Sequence, residues 1–227
     1  MKCSTVIPTI GRDTLCRSIQ SALEQDLAGC EVIVVNDSGA PLNLGPYADC
    51  AKVKVIDTNR SGLCFACNAG VAAARGEYIK FLHDDDYLQG GALRALVDEA
   101  EATHCRWILG SARIVDENGR SIYDLDSSPV GGNILGELLV GESTHMSYFL
   151  IHRETFLEVG GFDPQMRLYE DQDLCWRIAL HHDVGSVKDV VACVRASGAP
   201  GSAYSFAQIT TYHRMIRERI LSESEAQ

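Results

Sequence analysis

Two groups of carboxylates stand out by their spacing. Asp84, Asp85 and Asp86 are consecutive and follow directly on an apolar run, in YIKFLHDDDYL (78–88). Three neighbouring carboxylates repel one another. At ~5 Å and an effective dielectric of ~20, each adjacent pair costs roughly 3 kcal/mol before solvent and salt reduce it. A solvated turn that also caps the next helix would tolerate that repulsion. A divalent cation would remove it, because crowded carboxylate oxygens are the usual ligands of Mg²⁺ or Mn²⁺, and these ions bridge protein carboxylates to substrate phosphates. Strand alternation sends Asp84 and Asp86 to one side and Asp85 to the other. The second group is Glu170, Asp171 and Asp173 in YEDQDLCWRI (169–178). It falls in the first turn of an expected helix, where the macrodipole favours anions. Capping accounts for two of the three; one carboxylate within reach of an acceptor hydroxyl could act as a general base.

The elements that must position these groups alternate in the first half of the chain. Residues 5–7 form a short apolar segment ended by Pro8, and Asp13 can cap a helix with Leu15, Ile19, Ala22 and Leu23 on its apolar face. The β-branched run EVIVV (31–35) suits a strand covered on both faces and stops at the turn-forming Asn36-Asp37-Ser38-Gly39. Strands are expected at 52–56 and 77–82, and helices at 64–74 and 91–102. This alternation predicts an α/β fold with an open, mainly parallel sheet flanked by helices. Ligands of such sheets bind beyond the carboxyl ends of the strands. Pro8-Thr9, Asn36-Asp37 and Asp84–Asp86 all lie at such ends, so they should share one rim.

The second half reads differently. Strands at 107–115 and 120–123 flank Glu117-Asn118-Gly119, a hairpin signal. An irregular loop (124–144), a strand (146–152), a helix (153–159), the break Gly160-Gly161-Phe162-Asp163-Pro164, a helix (170–181) and a strand (184–194) follow. Segment 205–221 is amphipathic, with Phe206, Ile209, Tyr212, Ile216 and Ile220 at helical spacing and His213, Arg214, Arg217 and Arg219 around it. Packing over the acceptor side or homodimer formation is its expected role, with peripheral membrane contact as the alternative. The expectation is one domain of two halves, at about 1–105 and about 106–200, with a C-terminal helix at about 203–227.

Charge and composition narrow the partners. Lys plus Arg number 20 against 31 Asp plus Glu, a net charge of −11, which argues against broad nucleic-acid binding. No apolar run approaches a membrane span, and the N-terminal stretch is too short and weakly charged for a signal peptide, so a cytoplasmic location is expected. Nine cysteines, odd in number and scattered, do not form a disulfide framework. Cys64 and Cys67 have C-x-x-C spacing but lack a second ligand pair, so they read as packed residues at a helix start. His181-His182-Asp183 reads as a solvated helix end.

Four stretches in order resemble glycosyltransferase family 2, whose nucleotide-sugar-binding domain is of the GT-A type. They are VIPTIGRDTLCRSIQSAL, EVIVVNDSG, NRSGLCFACNAGVAAARGEYIKFLHDDDYL and HRETFLEVGGFDPQMRLYEDQDLCWRIA, together spanning about residues 4 to 180. The resemblance implies an inverting transfer of a sugar from a nucleoside diphosphate sugar, tilted to UDP, to a glycan or other hydroxyl acceptor, with Mn²⁺ or Mg²⁺ as cofactor. It places Pro8, Thr9, Gly11, Arg12 and Asn68 along the nucleotide pocket, and Asp37 on the base or ribose. Asp84 goes to the ribose or metal, Asp85 to the metal, and Asp86 is a further metal candidate. Asp171 matches the general base, with Glu170 its competitor; Asp173 and Arg177 orient their helix, and His145 could touch acceptor or donor. The chain departs from the family pattern at His83, where an aspartate is common, at Cys67, where arginine is common, and at Asn36. Arg60 or Arg12 would then supply the diphosphate contact. Without a long C-terminal extension or a membrane helix, a processive membrane polymerase is not expected. The alternatives are a sugar-phosphate nucleotidyltransferase, which would need a phosphate loop richer in glycine and arginine than PTIGRDTL, and a non-catalytic nucleotide-sugar-binding module.

Overall fold

The computed structural model describes residues 1–126, 131–140, 145–196, 214–216 and 218. The EVIVV run lies within β2 (Cys30–Asn36), which pairs in parallel with β1 (Cys3–Thr9) on one side and β3 (Val53–Asp57) on the other. β4 (Tyr78–Phe81) pairs in parallel with the far side of β1. Helices α1 (Leu15–Leu23), α2 (Leu63–Ala73) and α3 (Ala92–Thr103) connect and cover these strands. The later strands are β5 (Tyr87–Leu88), β6 (Trp107–Val115), β7 (Ser121–Leu125), β8 (Phe149–His152) and β9 (Val184–Arg195). The helices of this half are α4 (Leu135–Val140), α5 (Arg153–Glu158) and α6 (Glu170–Ala179).

The nine strands among the described residues form one sheet in the order β3-β2-β1-β4-β8-β6-β9-β5, with β7 paired to β6. The parallel half becomes mixed at β4, where β8 joins antiparallel. One sheet therefore carries both halves. Strand alternation gives it two cores: Val6, Ile33, Val35 and Phe81 face α2, α5 and α6, while Ile7, Val32, Val34 and Leu150 face α1 and α3. The first core includes four phenylalanines, Phe81, Phe149, Phe156 and Phe162, with ring centroids 5.1–6.3 Å apart. They bind β4 and β8 to α5 and the glycine turn after it.

Several expectations are corrected. Pro8 does not end the first strand; it lies inside β1, in register with Val35. Its missing N–H is tolerated because the β1–β4 ladder has already ended at Val6–Phe81. Thr14, not Asp13, precedes α1, and no side chain caps that helix. Residues 146–148 form a 3₁₀ turn before the strand begins. The short β5 and α4 were not expected. The hairpin is present: Asp116 accepts from the N–H groups of Asn118 and Arg120, and Gly119 takes φ +78°. Of the C-terminal segment only Arg214, Met215, Ile216 and Glu218 are described, with Ile216 buried in the first core; the amphipathic helix, with its dimer and membrane roles, otherwise lies outside the described residues. No helix among the described residues is long and apolar enough to cross a membrane.

Candidate active site

The three polar clusters meet at the carboxyl ends of β1, β2 and β4. Thr9 Oγ1 donates to Asp84 Oδ2 at 2.5 Å, and the Thr9 carbonyl accepts from the Asp37 N–H at 2.8 Å. The Gly11 N–H donates to Thr9 Oγ1 at 2.9 Å, with φ +88° turning the chain back over the rim. The Arg12 guanidinium pairs with Asp84, and its Nε lies 3.8 Å from Asp85 Oδ2.

The three aspartates have separate environments. Asp84 is fully buried against Thr9 and Arg12. Asp86 is 2% exposed, and its oxygens accept from Ser147 Oγ (2.5 Å) and the Arg195 N–H (2.9 Å). Burial pushes its pKa up, against the pull of His83 and those two hydrogen bonds. Only Asp85 presents its side chain to solvent, 31% exposed. The odd–even division follows the expectation, although a turn after β4 carries it. Asp85 is therefore the carboxylate of the three open to solution, with the Arg12 guanidinium as its neighbour; Asp86 is turned inward. Among the described residues, no three His, Cys, Asp or Glu side chains converge as a self-sufficient metal cage.

Asp37 fastens a strained loop. It accepts from Thr58 Oγ1 (2.7 Å), the Ser61 N–H (2.7 Å) and the Gly62 N–H (2.9 Å). Burial works to raise its pKa, but these hydrogen bonds outweigh it and hold the carboxylate below its ordinary value. Within the loop, Asn59 and Arg60 take φ of +55° and +61°, costly for residues with a Cβ and maintained only under such restraint. Asn36, with its amide on Asp57 and Ala40, braces the same region. Beside the loop is a cleft of about 380 Å³, lined in part by Arg60, Gly62, Phe65, Met166, Arg167 and Glu170. Asn68, expected in the nucleotide pocket, has both ends of its amide on the Phe162 backbone, at 2.8 and 2.9 Å.

The second carboxylate group starts α6. Tyr169, immediately before it, takes φ +59°. Asp173 and Arg177 pair one turn apart at 2.6 Å, and the guanidinium also donates to the carbonyls of Val159 and Gly161. This buried clamp fixes the helix to the glycine turn. Gly161 is needed there: its φ is +68°, and a Cβ would lie 2.7 Å from Asn68 Oδ1. Asp171 is half-buried. Burial and then the neighbouring Glu170 raise its pKa to about 8, while the N–H groups of Gln172, Asp171 and Met146 pull it back. A base poised near neutral pH is what proton abstraction from a hydroxyl requires.

One short segment holds the first group and bears on the electrostatics of the second. The His145 ring lies 5.0 Å from that of His83, Ser147 Oγ holds Asp86, and the Met146 N–H faces Asp171. Burial, with His83 and Lys80, lowers the His145 pKa to about 3, so this imidazole is neutral at working pH. The Cys64 and Cys67 thiols are pushed up by burial, Cys64 to about 12, and Cys64 bonds the Met166 carbonyl at 3.3 Å. They pack; neither offers a thiolate.

Residues 4–174 match the family described as "Glycosyl transferase family 2". The chain belongs to glycosyltransferase family 2. Among its relatives is the uncharacterized glycosyltransferase EpsJ of Bacillus subtilis, 41% identical over 88 residues, which cover 37% of this chain and 25% of EpsJ. Another is the GalNAc(5)-diNAcBac-PP-undecaprenol beta-1,3-glucosyltransferase of Campylobacter jejuni, 31% identical over 127 residues, covering 53% of this chain and 41% of that protein. The chain thus spans well under half the length of these curated relatives. The crystal structure of S. aureus TarS 1-349 in complex with UDP-GlcNAc superposes with a TM-score of 0.77 at 19% identity, over 95% of this chain and 65% of that one. The likeness shows the GT-A fold. Family membership sets aside the nucleotidyltransferase alternative.

Sequence reasoning missed two residues of this family 2 site. Ser147 gave no signal; its partner Asp86 is 61 residues away. Lys80 gave one: a lysine inside the apolar run YIKFL has to be buried with its charge provided for.

Proposed function

We propose that this protein transfers a glycosyl group from a nucleoside diphosphate sugar, with UDP the first candidate nucleotide, to an acceptor hydroxyl in bacterial glycan assembly. One observation carries the reading: the ends of β1, β2 and β4 gather Thr9, Asp37, Asp84 and Asp85 on one rim, and the segment 145–147 links that rim to a raised-pKa carboxylate on α6. The relatives support it, since one is named for glucosyl transfer and the TarS structure holds UDP-GlcNAc.

In this reading Asp171 takes the proton from the acceptor hydroxyl as its oxygen attacks the anomeric carbon. The bond to the diphosphate breaks in the same displacement, inverting the centre. Glu170, on the cleft wall, keeps Asp171 basic by like-charge repulsion. Thr9 and Arg12 hold Asp84 as a fixed shelf beside the nucleotide, and Arg12 or Arg60 supplies the diphosphate contact. Asp85 would hold Mn²⁺ or Mg²⁺, which when bound supplies Lewis-acid stabilisation of the leaving diphosphate.

The test is calorimetric titration with UDP, with and without Mn²⁺, on the wild type and on Asp85→Ala, followed by a donor-sugar screen. Metal-dependent binding that disappears in Asp85→Ala, with turnover of at least one UDP-sugar, is the expected result. Wild-type protein that binds none of UDP, dTDP and GDP in the presence of metal would overturn the reading.

A further inference from the structure

The aspartate run has an arginine at each end, and only one of them is neutralised. Arg12 pairs with Asp84 and lies 3.8 Å from Asp85. Arg195, the last residue of β9, meets the other end through its backbone: its N–H donates to Asp86 Oδ1 at 2.9 Å. The Arg195 side chain is half-buried, and its guanidinium has no hydrogen-bond or ion partner among the described residues. An arginine drawn partly out of water without a counter-ion has lost hydration that an anion would replace.

Strand alternation sets the direction of that side chain. Ala192 and Val194 pack on the second core, so Arg195 points to the opposite face of the sheet, the face of the first core. Asp86 beside it is held on its other oxygen by Ser147 Oγ at 2.5 Å. Arg195 therefore comes to the rim from the second half of the chain, across the run from Arg12, which comes from the end of β1. Asp37, Asp84 and Asp85 crowd this rim, and Arg12 is shared between two of them. A diphosphate brought there needs more positive charge than a paired Arg12 offers.

We propose that Arg195 is a donor-binding residue: its guanidinium takes the sugar-side phosphate of the nucleoside diphosphate sugar. That is the phosphate on which charge develops as the bond to the sugar breaks. The ligand is that of the transferase reading, on which the inference rests; the phosphate next to the nucleoside is left to Arg12 or Arg60. Arg195 lies beyond residues 4–174, the stretch that matches the family. Its planar fork suits two phosphate oxygens at once. The anchoring of Asp86 uses the main-chain N–H, so a side-chain substitution at 195 leaves the run in place.

The experiment is calorimetric titration of the wild type and Arg195→Met with UDP, with UMP, which lacks the second phosphate, and with pyrophosphate, all with Mn²⁺ present, beside thermal melting of the ligand-free proteins. Loss of one charge-assisted contact predicts UDP binding weakened roughly ten- to a hundredfold, with UMP affinity and melting temperature unchanged. Arg195→Lys, which keeps a point charge without the fork, should retain part of the UDP affinity. Unchanged UDP affinity in Arg195→Met overturns the proposal and leaves the transferase reading standing. An equal loss of UDP and UMP overturns it too, since that is what a disturbed rim would give. Should Arg195→Met not fold, Arg195→Lys decides: UDP weakened relative to UMP supports the proposal, and an unchanged ratio overturns it. Wild-type protein that binds no nucleotide, but binds pyrophosphate in a way Arg195→Met abolishes, sinks the nucleotide reading and keeps the anion site. Wild-type protein that binds none of the three sinks both.

Discussion

Asp171→Asn separates activity from stability, because asparagine keeps the shape of the side chain and removes its charge. In the folded chain burial and Glu170 raise the Asp171 pKa to about 8; in an unfolded chain an aspartate titrates near ~3.9. Between those values the folded state binds the extra proton, so the stability contributed by this group falls as pH rises from about 4 to about 8. Roughly four units at ~1.36 kcal/mol each bound the effect at about 5.5 kcal/mol. Asp171 is only half-buried, and water at its open side weakens the field, so about 2–4 kcal/mol is the working expectation. Asparagine carries no such penalty. The variant should melt with the wild type at about pH 4 and roughly 5–12 °C higher above about pH 8. Its turnover should fall ~10²–10⁴-fold, while wild-type kcat/KM climbs about tenfold between pH 7 and pH 9 as the base ionises. Thermal unfolding of the ligand-free protein across this pH range, with initial rates alongside, reads both effects. A melting difference that stays flat with pH would refute the buried charge. Near-normal turnover in the variant would move the base to Glu170.

Two more outcomes follow from how side chains are partnered. Asp86→Ala strands the Ser147 hydroxyl and the Arg195 N–H in the interior, at about 1–3 kcal/mol each, whereas Asp85→Ala should stay within about 0.5 kcal/mol of the wild type in chemical unfolding; equal losses would contradict the inward–outward division of the run. Cys30, half-buried and opposite Cys3 in the β1–β2 ladder, has its pKa lowered chiefly by the Cys3 thiol, while burial holds Cys64 at about 12. Iodoacetamide at pH 8 should therefore modify Cys30 well before Cys64, as peptide mass mapping would show, and comparable rates would contradict those environments.

The first half of the fold was legible because its signals are local. EVIVV could be only a doubly covered strand, and the spacing of Leu93, Leu96, Val97 and Ala100 gave the buried face of α3. Strand ends then fixed the shared rim without any long-range information. The second half was less legible because its elements are defined by partners. β5 is two residues long and exists by pairing with β9, more than 100 residues later. Residues 146–148 are apolar enough for a strand, but the carbonyls directed at Lys80 and the Ser147 hydroxyl directed at Asp86 hold them in a turn. The Asn68 amide shows the same dependence: only the fold brings the Phe162 backbone to it.

The repulsion within the aspartate run is resolved by division of labour. Asp84 is neutralised by Arg12 and fixed by Thr9, so it belongs to β1. Asp86 is satisfied by Ser147 and the Arg195 N–H, so it belongs to the acceptor half. With its neighbours compensated, Asp85 remains at the rim as the carboxylate open to solvent, sharing Arg12 with Asp84. At an effective dielectric of ~20 the pairwise repulsion of roughly 3 kcal/mol is comparable to one charge-assisted contact, so each inner aspartate needs about the partnering it has. The run therefore acts as a joint: two of its carboxylates bind the donor-side strands to the acceptor-side turn, and their placement aims the third. A substitution at Asp86 should then loosen the 145–148 turn it holds through Ser147, while Asp85→Ala leaves that turn in place, a contrast that hydrogen exchange of the turn's amides would read.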